Sequence, residues 1–98
     1  MLDIIQSDTF RKWLSGLRDI NAKSRIHARL GRMAEGNFGD IKSLGNKLLE
    51  ARIDYGPGYR LYYMREGMSI IVLLVGGDKR SQKKDIERAQ RIMEAWRK

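Results

Sequence analysis

The sequence predicts one α+β domain: two N-terminal helices, a meander of antiparallel strands with the helices on one face, and a C-terminal helix. Three observations carry this. Apolar residues recur with a helical period over 10–33 and again over 86–96, and they alternate with a period of two from Leu48. A chain of 98 residues also leaves room for one core only. The expected domain spans residues 1–98.

In the first helix Phe10, Trp13, Leu14 and Leu17 fall at i, i+3, i+4 and i+7, an inward stripe that Ser7 or Asp8 can cap. Asp19 or Asn21 can cap a second helix, whose stripe is Ala22, Ile26, Leu30 and Met33 and whose stop is Gly36. The two form a helical hairpin. Arg25, Arg29 and Arg32 make a basic row about 100° round the axis from that stripe, expected to face solvent or a partner. Residues 36–46, rich in Gly, Asn and Asp, read as a connecting loop pinned to the core by Phe38.

From Leu48 the residues Leu49, Ala51, Ile53 and Tyr55 take one face of a strand, and Glu50, Arg52 and Asp54 the other. Gly56-Pro57-Gly58 turns the chain into a second strand, Tyr59 to Arg65. A three-residue loop sets Ile53 opposite Leu61, Ala51 opposite Tyr63, Asp54 opposite Arg60 and Arg52 opposite Tyr62. Ser69 to Val75 is a continuous apolar run, hence a central strand, ended by Gly76-Gly77-Asp78. Ser81 can cap the last helix, with Ile86, Ala89, Met93 and Trp96 inward and Lys83, Lys84, Arg88 and Arg91 outward. Asp3 to Gln6 can add a short edge strand.

Twenty basic against twelve acidic side chains leave a net charge of +8, which favours polyanionic partners, nucleic acid first and an acidic protein second. The excess lies at the ends: seven basic to four acidic in 1–35, eight to four in 76–98. Without cysteine there is no disulfide framework and no thiolate metal site, as fits a reducing cytoplasm. The longest apolar run, Ile70 to Val75, is far short of the roughly 20 residues that span a bilayer, so no membrane helix is expected. The N-terminus has no secretory pattern.

One histidine, His27, lies off the apolar stripe, and the carboxylates are scattered. The sequence therefore supports neither metal catalysis nor a Ser-His-Asp hydrolase, and no cofactor is expected. Gly76-Gly77-Asp78-Lys79 lacks the spacing of a nucleotide-binding P-loop. What remains is the polar sheet face. Arg52, Arg60 and Tyr62 are expected to project from it beside Lys79 and Arg80 at the N-terminus of the last helix, a phosphate site with Tyr62 exposed for stacking on a base. The plainer alternative is a surface charge ladder of Arg52, Asp54 and Arg60. Trp13 and Trp96 are expected in the core.

Four segments together carry a resemblance: Phe10-x-x-Trp13-Leu14-x-x-Leu17, Gly36-Asn37-Phe38-Gly39-Asp40, Asp54-Tyr55-Gly56-Pro57-Gly58-Tyr59-Arg60-Leu61-Tyr62-Tyr63 and Gly76-Gly77-Asp78-Lys79. They resemble the RelE/ParE toxin superfamily, nearest its HigB-like, phage-related addiction-module killer proteins. The resemblance implies the toxin of a bacterial type II toxin-antitoxin module, with a microbial-ribonuclease-like sheet. Such a toxin is neutralised by a cognate antitoxin and, in its ribonuclease members, cuts mRNA on the ribosome without metal. Arg60, Lys79 and Arg80 match the family's phosphate-binding positions. Glu50 and Asp54 stand where the best-studied nucleases carry basic residues, and no tyrosine follows Tyr63. The general base stays open between Lys79 and Tyr62. Arg52 with the row Arg25, Arg29 and Arg32 is expected to bind RNA, or an acidic antitoxin segment. Two alternatives stand beside the nuclease: a ParE-like gyrase-inhibiting toxin and a non-catalytic RNA-binding module.

Overall fold

A computed structural model describes residues 1–97. Strand β1 (Asp3–Gln6) is followed by helices α1 (Asp8–Gly16) and α2 (Ile20–Ala34), then strands β2 (Ile41–Ser43), β3 (Leu49–Ile53), β4 (Tyr59–Glu66) and β5 (Ile70–Asp78). A 3₁₀ turn, Lys79–Ser81, leads into helix α3 (Gln82–Arg97). The α+β class and the order of helices agree with the sequence pattern. The sheet is mixed and five-stranded, ordered β1-β5-β4-β3-β2, with β1 parallel to β5 and the other pairs antiparallel.

The caps form as expected at the first two helices. Ser7 Oγ accepts from the Phe10 N–H at 3.0 Å, and Asp19 Oδ1 accepts from the Asn21 and Ala22 N–H groups. Ala22, Ile26, Leu30 and Met33 are all buried, and Phe38 stacks on Tyr63 with ring centroids 6.1 Å apart. His27 is exposed.

The expectation of helices on one face is overturned. Helices α1 and α2 pack with Leu61, Tyr63, Ile71 and Leu73, whereas α3 packs with Tyr62, Met64, Val72 and Leu74. Because neighbouring residues of a strand point to opposite faces, these two sets define the two sides of the sheet. Strands β4 and β5 are apolar on both sides for that reason, and the second side is a core rather than an open surface.

Four local expectations also change. Residues 36–46 contain β2, an edge strand whose three residues are all exposed and which therefore shows no alternation to read. The β3–β4 loop is five residues long, not three, so Ile53 opposes Tyr59, Arg52 opposes Arg60 and Glu50 opposes Tyr62. Tyr55 leaves the ladder to bridge to α2: Arg25 lies over its ring at 4.4 Å and its hydroxyl donates to Asp19 at 3.3 Å. A slip of two residues preserves both faces while changing every partner. Strand β5 continues through Gly76, Gly77 and Asp78, made possible by the missing side chains. A Cβ at Gly76 would lie 2.1 Å from the Trp13 ring, and one at Gly77 would lie 1.9 Å from Asp85. Ser81 belongs to the 3₁₀ turn, which Asp78 caps by accepting from the Arg80 N–H.

Trp13 is half-buried, 5.6 Å from Phe10 and 6.2 Å from Tyr59 between ring centroids, as a core role requires. Trp96 is 40% exposed and donates its indole N–H to Glu66, against the expectation that it sits in the core. Among the described residues no helix is long and apolar enough to cross a membrane.

Candidate functional site

The end of the sheet nearest the start of α3 gathers the polar groups. Strands β3 and β4 bring Arg52 and Arg60 directly opposite each other, and Arg60 in turn opposes Gly77 of β5. Two like charges facing each other across a ladder repel. Glu50, one turn of the pleat away on the same face, compensates: its Oε1 lies 2.9 Å from Arg52 Nε and 3.9 Å from Arg60 Nε. Its Oε2 accepts a hydrogen bond from Gln82 at the start of α3, at 3.3 Å. The hydrogen bond to Glu50 raises the affinity of the Arg52 guanidinium for its proton.

Arg60 is 7% exposed, and Nη1 donates to the Tyr59 carbonyl at 3.1 Å. Its Nε has no hydrogen-bond partner. An unpaired buried donor on a cation is costly, and the Glu50 carboxylate 3.9 Å away offsets part of that cost.

Lys79 and Arg80 stand at the adjoining chain reversal. The Lys79 N–H donates to the Gly58 carbonyl at 3.0 Å, which ties the loop after β5 to the β3–β4 turn. Gly58, at φ +83°, has no Cβ, and the Lys79 stem lies where one would press on it, 3.2 Å from Lys79 Cγ. Both cations are exposed. Arg80 reaches Asp78 at 3.0 Å, and that contact holds the Asp78 carboxyl below its ordinary value. Arg60, Lys79 and Arg80 thus arise from neighbouring ends of β4 and β5, with Arg60 buried and the other two in solvent.

Two sequence-predicted roles fail. Tyr62 is not exposed for stacking; it is fully buried under α3. Its hydroxyl has no hydrogen-bond partner of good geometry, although Gln82 and Arg60 lie near enough to favour its ionised form. Burial, then Glu50 and Asp85, push the phenol well above its usual value, so it cannot serve as a general base near neutrality. Arg29 does not face solvent with Arg25 and Arg32. It is 6% exposed, and Nε, Nη1 and Nη2 donate to the carbonyls of Phe38, Arg52 and Asp40 at 3.0, 2.7 and 2.7 Å. It closes the part of the β3 edge that β2 is too short to cover. Arg25, Arg32 and Arg52 do line a common groove of about 400 Å³ with Asp54 beside them.

Glu50 is the residue the sequence reading undervalued. Its place in the alternation put it on the polar face, but only the observed register sets it between two arginines. No group of three or more metal-ligating side chains occurs among the described residues.

A protein of Haemophilus influenzae, described as an uncharacterized protein, is 49% identical to this chain over 82 residues, 84% of this chain and 83% of that protein. The chain belongs to the same family as that protein. No family model matches it.

Proposed function

We propose that the chain is a bacterial type II toxin of the RelE/ParE superfamily, HigB-like in its branch and RelE-like in its sheet. In this reading it acts in the cytoplasm as a ribosome-dependent, metal-independent mRNA endonuclease and is silenced by a cognate antitoxin. One observation carries the reading: a nearly buried arginine, Arg60, whose Nε has no hydrogen-bond partner, on the strand next to the one that leads into the exposed cations Lys79 and Arg80. That arrangement suits a phosphate, which takes several charge-assisted hydrogen bonds at once.

The ribose 2′-oxygen forms a bond to phosphorus as the bond to the 5′-oxygen breaks, leaving a 2′,3′-cyclic phosphate and a 5′-hydroxyl. The proton lost at the 2′-oxygen is matched by the one gained at the 5′-oxygen. Charge accumulates on the non-bridging oxygens, where Arg60 and Lys79 donate; fixed donors at that point are commonly the largest catalytic contribution. Arg52, Arg25 and Arg32 flank the path of the RNA backbone, and Tyr62 and Arg29 have no part in it.

The experiment is induction in a bacterium, with mapping of mRNA 5′ ends. New in-frame cleavages with growth arrest are expected, and Arg60→Ala should abolish both. Arrest with DNA-damage signalling and intact mRNA would replace the nuclease by a gyrase inhibitor. Unimpeded growth without an antitoxin would leave only RNA binding.

A further inference from the structure

We infer that Glu50 is a positioning residue for Arg60, fixing the guanidinium of the proposed phosphate site without itself touching RNA. The inference rests on the nuclease reading above. Glu50 is 1% exposed, so its carboxylate is closed to a substrate proton or phosphate, and its influence passes through the side chains it meets.

Those side chains come from three elements. Arg52 of β3 donates to Oε1 at 2.9 Å, and Gln82 of α3 donates to Oε2 at 3.3 Å. Arg60 of β4 lies 3.9 Å from Oε1. That distance is too long for a hydrogen bond but close for unit charges in a medium of low dielectric constant. Arg60 is accordingly fixed from two sides, by the Tyr59 carbonyl at Nη1 and by charge attraction at Nε, a nitrogen itself closed to solvent, so that any anion has to meet the rest of the guanidinium.

A purely structural ion pair would look different. Its members would meet in direct hydrogen bonds, as Arg52 Nε and Glu50 Oε1 do, whereas Arg60 faces the same oxygen at 3.9 Å with Nε buried and unpaired. The direct opposition of Arg52 and Arg60 adds a second requirement, since without a carboxylate between them the two cations would turn apart.

The test is Glu50→Gln, nearly isosteric, which keeps an acceptor for Arg52 and removes the charge. Two readouts are taken at a temperature where both proteins are folded by circular dichroism. The first is the side-chain ¹⁵N–¹H signal of Arg60 Nε, assigned by its disappearance in Arg60→Lys. The second is the affinity for a single-stranded RNA with 2′-O-methyl sugars, which cannot be cleaved. The expected result is a broadened, faster-exchanging Arg60 signal and binding weaker by on the order of tenfold, the usual worth of a charge-assisted hydrogen bond. An unchanged Arg60 signal, or RNA bound as tightly or more tightly by Glu50→Gln, overturns the inference. Should Glu50→Gln fail to fold, Glu50→Asp keeps the charge but draws it back from Nε; there too the Arg60 signal must shift, and an unmoved signal overturns the role. If the unmodified protein binds no such RNA away from the ribosome, the nuclease reading stands or falls on the mRNA 5′-end mapping, while the Arg60 signal still decides whether Glu50 positions it.

Discussion

Arg29 and Arg60 are both buried, one on each side of the sheet, and they differ in what they do with their donors. Arg29 aims three nitrogens at three backbone carbonyls, whereas Arg60 aims one at a carbonyl and leaves Nε unpaired. Burial alone therefore says little about function. The unused hydrogen-bonding capacity is what separates Arg29, which completes a sheet edge, from Arg60, to which the proposed function gives a phosphate. Desolvation, followed by repulsion from Arg32, lowers the proton affinity of Arg29, and the arrangement of carbonyls is what makes its burial tolerable.

The largest expected effect breaks the Arg29 half of the comparison. Arg29→Met fills similar volume but strands the carbonyls of Phe38, Asp40 and Arg52, and should cost about 3 kcal/mol in urea-induced unfolding. RNA affinity measured on the folded fraction should not change. If instead RNA binding falls while stability holds, Arg29 is a ligand group after all.

Next comes the reciprocal change. Arg60→Lys keeps the charge but cannot reproduce a forked donor, and should lower the cleavage rate about a hundredfold. Because Nε contributes no bond to the fold, the loss in unfolding free energy should be well below that of Arg29→Met. A variant with full activity, scored by mRNA 5′-end mapping, would remove the phosphate role.

The legibility of the sequence follows the same division. Stripes with a single buried side were readable: Phe10 and Leu14, or Ala22, Ile26, Leu30 and Met33, and the caps Ser7 and Asp19 beside them. What depended on tertiary context was not. Tyr62 alternates like a solvent-facing residue, but α3 covers it, and nothing local in the strand reports on a helix twenty residues downstream. Arg29 follows the spacing of Arg25 and Arg32, but the three carbonyls it meets belong to residues 38–40 and 52. At the candidate site, the cations Arg60, Lys79 and Arg80 could be named from their types and places, while the partnership of Glu50 with Arg52 and Arg60 needed the register. That register goes with a turn that takes in Tyr55, whose carbonyl accepts from the Gly58 N–H.

A smaller effect sharpens the contrast between the two faces. Tyr62 and Tyr63 are neighbours, both fully buried, both with phenols pushed upward by burial. The surrounding charges then act in opposite senses: Glu50 and Asp85 raise Tyr62 further, whereas Arg29 and Arg65 pull Tyr63 down. A raised folded-state value means that the stabilising contribution is complete below the ordinary phenol value near 10 and is lost as pH rises above it. Tyr62→Phe should therefore flatten the alkaline fall in stability between about pH 10 and 11.5, and do so more than Tyr63→Phe, in urea titrations across that range. Equal effects would mean that the charges on the two faces do not distinguish the rings.

The smallest effect concerns an arginine that is neither buried nor unpaired. Arg80 is exposed and bound to Asp78, which also caps the 3₁₀ turn through the Arg80 N–H, so the carboxylate lies below its ordinary value. A lowered folded-state value gives stability that is present above the unfolded carboxyl value and lost as pH falls through the folded one. Asp78→Asn keeps a capping oxygen and removes that dependence. It should slightly reduce stability at pH 7 and lessen the further loss below about pH 4, with solvent screening keeping the change small. If the proposed phosphate site is correct, the same variant frees Arg80 for RNA, and affinity for the 2′-O-methyl oligonucleotide should rise as stability falls. A parallel fall in both would instead make Asp78 a member of the site, and would move the functional boundary from the buried Arg60 outward to the loop that carries Lys79 and Arg80.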